Sequence, residues 1–157
     1  MATKKPYAAE TSVPVTKSRD DIEKLLVENG SEDIAFGNIR GFIVVAFSAH
    51  ERQVRFTVPM PDVESPEITR TPSGAIRTSK AELTRVYDQA VRQRWRALFI
   101  TIKSKFVSID SHVASWEQEF GHAIVLPDGR TVMEATLPAI ERAYATGTVP
   151  PLLGITS

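Results

Sequence analysis

The sequence predicts an α+β domain: an N-terminal helix, a three-stranded antiparallel sheet, a long amphipathic helix and C-terminal helices. Three observations predict it. From Ser31 to Val58 apolar residues alternate with polar ones, around a continuous Phe42–Phe47 run (FIVVAF). From Thr78 to Asp110 they recur instead at steps of three and four. Between the two, residues 59–77 hold Pro59, Pro61, Pro66, Pro72 and Gly74 and follow neither period.

Residues 1–16 are polar and carry Pro6 and Pro14, so they read as a mobile arm, with Val13 and Val15 available to dock. The remainder, 17–157, reads as one domain of sufficient length to bury a core. In the stretch TKSRDDIEKLLVENG, Ser18 is the expected cap and Asp20, Asp21 and Glu23 the first-turn acids. Ile22, Leu25 and Leu26 form the buried stripe, and Gly30 supplies a left-handed end. Strands follow at Ile34–Phe36, Phe42–Phe47 and Val54–Val58, with turns expected at Gly37-Asn38 and Ala49-His50-Glu51. One face is expected to be wet, and a helix laid across the other completes the two layers a single sheet requires. The proline-rich span 59–77 is a long loop, of the kind that is functional or disordered.

In the long helix, Leu83, Tyr87, Val91, Trp95, Leu98, Ile102, Phe106 and Ile109 form the core face. Thr78 or Ser79 caps it, with Glu82 in the first turn. Val113, Trp116, Phe120 and Ile124 continue at helical spacing, and Ser115 with Gln118 is a capping-box pattern. Pro127-Asp128-Gly129 is a turn, and Thr131 with Glu134 opens a helix that runs to about Tyr144 and ends at Gly147. Pro138 is expected to kink or restart it. The C-terminal helices are expected to pack beside the long helix through Trp116, Phe120, Ile140 and Tyr144. The apolar stretch TVPPLLGITS is expected to dock.

Composition excludes some chemistry. There is no cysteine, hence no disulfide framework or thiolate site. Nineteen basic and nineteen acidic side chains balance, which argues against a charge-driven nucleic-acid coat. No apolar run approaches the ~20 residues of a membrane span, and no secretory signal pattern follows the first lysines. A soluble cytoplasmic protein is the expectation. Glu119 and His122 match one Glu-x-x-His step, whereas a di-iron bundle needs two such steps and two more glutamates. Asp20-Asp21 reads as helix-terminal charge, and Asp62 with Glu64 as loop acids. Neither a nucleophile elbow nor a phosphate-cradling glycine loop is present. No cofactor is expected, and the pattern favours a binding protein over an enzyme.

One surface feature remains. At roughly 100° per residue, Arg85, Arg92, Arg96 and Lys103 fall within about 40° of one another on the long helix, away from its apolar stripe. Such a line either contacts phosphates or is a solvated face whose long stems cover apolar neighbours. Arg70, Arg77 and Lys80 precede it and complete the candidate nucleic-acid site.

The segments AVRQRWRALFITIK (90–103), IVLPDGRTV (124–132) and YATGTVPPLL (144–153) resemble a family of small phage and prophage proteins. That resemblance spans most of the chain beyond the arm and implies a host cytoplasmic setting, near replication or recombination functions. It offers no catalytic residues. The element order is also similar to the core of phage single-strand annealing proteins, which place cations along a groove and form rings, although no motif of theirs matches residue by residue. The expected function is therefore non-enzymatic binding of single-stranded nucleic acid, as a homo-oligomer. The alternative is a phage protein that occupies a host nuclease or defence factor.

Overall fold

A computed structural model of the protein describes residues 6–153. Helix α1 (Val15–Glu28) leads into strands β1 (Glu32–Ile39), β2 (Phe42–Ala49) and β3 (Arg52–Pro59). A short α2 (Pro66–Thr69) interrupts the proline-rich span. Then come the long α3 (Lys80–Asp110), α4 (Trp116–Phe120) with a following 3₁₀ turn at Gly121–Ala123, and α5 (Val132–Thr146). The sheet is antiparallel in the order β1-β2-β3. The fold is α+β, with the elements in the order the two hydrophobic periods dictate.

Alternation decides which sheet face is buried. Ile43, Val45 and Phe47 of β2 and Val54 and Phe56 of β3 point one way. They meet Ile22 and Leu26 of α1, Trp95, Leu98, Ile102 and Phe106 of α3, and Trp116 and Phe120 of α4 in one core. Aromatic rings knit it: Phe106 lies 5.2 Å and Phe47 6.0 Å from Phe120, centroid to centroid. Ile102 is fully buried at its centre, so truncating it would cost about 2–5 kcal/mol.

The helix ends follow local chemistry. Ser79 accepts from the Glu82 amide and starts α3. Both capping boxes form, Ser115 with Gln118 and Thr131 with Glu134. Gly30 (φ 76°) closes α1: its amide reaches Val27 O at 3.0 Å and the Ser31 amide reaches Leu26 O at 2.9 Å.

Several expectations are corrected. Ser18 does not cap α1. The helix starts a turn earlier after Pro14, and Ser18 is fully buried within it, its hydroxyl without a partner. The first hairpin does not turn at Gly37-Asn38; these pair with Val44 and Ile43. The turn is Arg40-Gly41, both left-handed (φ 50° and 80°), as a two-residue hairpin loop requires. The helical spacing over 111–124 yields only α4 and the 3₁₀ turn. Pro138 does not restart the helix: α5 runs through it as one element. Trp116 and Phe120 are buried, but Ile140 is only partly buried and Tyr144 is 90 % exposed. Helix α5 instead rests on the 3₁₀ turn, and the residues it buries are the small Thr136 and Ala139. The stretch after Gly147 is not docked: Val149 is 83 % exposed. Its last four residues, 154–157, lie outside the described residues, as does 1–5 of the arm.

Within the arm, Gln89 of α3 donates to Ala9 O and Thr11 O, Gln93 donates to Tyr7 O, and Val15 packs on the core. The proline-rich span is anchored at Ile68, which is 2 % exposed, and by an Arg70–Ile76 bridge.

Candidate nucleic-acid interface

Helix α3 is one uninterrupted segment of 31 residues, so a line of cations along it is held in fixed spacing. Arg85 to Lys103 spans about 27 Å at 1.5 Å per residue. Arg85 and Lys103 are exposed. Arg92 is partly buried and donates to Gln89 Oε1 at 2.6 Å, a neutral partner, with Asp88 lining a depression beside it but making no ion pair with it among the described residues. Arg96 differs: its guanidinium meets Asp21 Oδ2 of α1 at 3.0 Å and lies 4.4 Å from the Phe99 ring centroid. Lys103 lies near the same ring, its Nζ 5.9 Å from the centroid.

Asp21 also takes a hydrogen bond from Lys17, and this contact, followed by Arg96, holds its carboxyl below the ordinary range against the opposing effect of desolvation. The acid is therefore charged at neutral pH and neutralises part of the strip.

The three preceding cations divide. Arg77 is built into the loop: its side chain is 10 % exposed, with Nε 3.1 Å from Glu82 Oε1 and Nη1 donating to Ile68 O and Arg70 O. Arg70 is exposed and donates to Gly74 O at 3.1 Å. Lys80 is exposed but stands roughly 140° around α3 from Arg85, off the line.

A groove lies beside the strip where α1 begins. Val15, Arg19, Phe36, Asn38, Val91 and Trp95 line about 290 Å³ of it. A second depression shares Val15 and Val91 and ends at Arg92 and Asp88. Arg19, on the rim, holds its guanidinium 5.0 Å from the Phe36 centroid and 5.9 Å from that of Trp95. Sequence reasoning missed Arg19. It lies on the exposed side of α1, and only the packing of α1 against β1 brings it over the rings.

Elsewhere the acids and histidines are dispersed: among the described residues no three could gather on a metal ion. Glu119 faces Lys105 at 3.5 Å, and His122 packs its ring 6.1 Å from Phe56. Arg94 joins the end of β3 to α3 through Pro59 O at 2.6 Å and reaches Glu67 at 3.5 Å, a structural role. Among the described residues no helix is long and apolar enough to cross a membrane. No protein-family model, curated protein or solved structure matches this chain.

Proposed function

We propose that this protein binds single-stranded nucleic acid without sequence preference and catalyses no reaction on it, in the cytoplasm of a host cell carrying a phage or prophage. The observation that carries the reading is the alignment of Arg85, Arg92 and Lys103 along one rigid helix, none of them facing an acid in an ion pair among the described residues. Phosphates spaced along a flexible strand suit such a line. The groove under Arg19 shares Val15 and Val91 with the depression that ends at Arg92, and the exposed Arg19 guanidinium offers a plane on which a base can stack, a face that a single strand presents and a duplex hides. Arg70, exposed in the preceding loop, adds a cation near the start of α3, while Lys80 points away from the line. The test is a fluorescence-anisotropy titration with single-stranded and duplex oligonucleotides of equal length at low salt. Tighter single-strand binding is expected, and no binding of either removes the reading.

The second reading, occupation of a host protein, is favoured by the uncovered face of the sheet. There Ile39 and Phe42 pair across β1 and β2 while 56 % and 41 % exposed. Binding that is unaffected by salt and by nuclease treatment would favour it.

A further inference from the structure

Helix α5 is packed the reverse of an ordinary amphipathic helix. Its buried residues are small, Thr136 and Ala139. Of its large apolar residues Val132 and Ile140 are partly buried, whereas Met133, Leu137 and Tyr144 are 43 %, 44 % and 90 % exposed. At 100° per residue the three fall within about 40° of one another, so they form one open stripe. Directly after α5 the chain exposes a second apolar set: Val149, Leu152 and Leu153 are 83 %, 46 % and 61 % exposed. Residues 147–153 carry no charge, and Pro150-Pro151 favours an extended form that can lie along a helix.

We infer that these two surfaces are complementary across a pair of copies: the 148–153 segment of each copy lies on the α5 stripe of the other. Charge selects this arrangement over direct α5–α5 pairing. The exposed Glu141 borders the stripe on one side, Glu134 beside it being already paired with Arg55 at 2.8 Å, and an antiparallel helix pair brings the Glu141 borders of the two copies together. An uncharged segment meets no such repulsion. The chain's zero net charge adds no long-range repulsion between copies. Within one copy, the left-handed Gly147 (φ 71°) leads the segment off and leaves Tyr144 open. A stable interface buries roughly 1,000 Å² in total. Six apolar side chains from each copy, at roughly 50–100 Å² apiece, reach that order.

Sedimentation velocity on the nuclease-treated full chain, over a wide concentration range, tests the exchange. A reversible dimer is expected. Leu137→Asp spoils the stripe and Leu152→Asp spoils the segment, and each should weaken the dimer about tenfold or more. Both sites are exposed, so circular dichroism should be unchanged. Mixing the two variants restores one intact segment-on-stripe contact, so the mixture should associate more tightly than either variant alone. A monomer at every concentration, a dimer indifferent to both substitutions, or a mixture no tighter than its components would each overturn the inference.

Discussion

Asp21 and Arg96 close an ion pair at 3.0 Å that joins α1 to α3, with side chains 19 % and 24 % exposed. Four cations are aligned on α3, yet one is already answered by an acid from another helix. Replacing Asp21 with Asn should release Arg96 toward solution. Oligonucleotide affinity should rise by a few-fold at low salt, while stability falls by about 0.5–1 kcal/mol, the usual range for a partly exposed pair. Anisotropy and a denaturant melt on the same preparation check both halves.

Acid should destabilise the fold in two stages. His122 is held below its ordinary 6.5, first by desolvation and next by the Lys105 ammonium, with Glu119 opposing. The unfolded chain thus takes this proton more readily, and stability present above pH 6.5 is lost as pH falls below it. Asp21, lowered from 3.8 mainly by Lys17, adds a second loss below about pH 4. Glu134, held down chiefly by the Thr131 amide and then by Arg55, acts in the same direction. Urea melts from pH 8 to pH 3 should show both stages, and His122→Gln should remove only the first.

Ser18 is fully buried in α1 with no partner for its hydroxyl. An unsatisfied buried hydroxyl costs about 1–3 kcal/mol relative to an apolar group of similar shape. Ser18→Ala should therefore raise the melting temperature, with a gain of about 1 kcal/mol.

Pro138 sits in the interior of α5, where it removes the amide that would bond to the Glu134 carbonyl. Pro138→Ala should stabilise α5 by about 1–3 kcal/mol. Hydrogen exchange should slow in Val132–Thr146 and change little in α3.

Local signals in the sequence were enough for the α3 boundaries, both capping boxes, the Gly30 closure and the period-two strands, because each depends on neighbours within four residues. Long-range pairing was not legible. The choice between Gly37-Asn38 and Arg40-Gly41 as the hairpin turn is a matter of strand register. The burial of Ser18 follows from how α1 packs on the rest of the fold, chiefly on α3. The face of α5 that turns inward is set by the 3₁₀ turn it rests on. For the candidate site, a helical wheel shows the line Arg85, Arg92, Arg96 and Lys103. It cannot show Asp21, 75 residues from Arg96 in sequence, or the guanidinium of Arg19 over Phe36 and Trp95. The pinning of Arg77 by Ile68 O, Arg70 O and Glu82 is likewise a property of the folded loop.

The central claim is that α3 contacts phosphates, and the salt dependence of single-strand binding tests it most directly. Each contact releases counterions and contributes roughly −0.7 to the slope of log affinity against log salt. With Arg96 held by Asp21, three contacts from Arg85, Arg92 and Lys103 predict a slope of about −2, and Asp21→Asn should steepen it to about −3. The triple variant Arg85→Ala, Arg92→Ala and Lys103→Ala keeps the Arg96 pair and should stay folded while its affinity falls by tenfold or more. A wild-type slope near zero, or a folded triple variant that binds as tightly as wild type, would contradict the account.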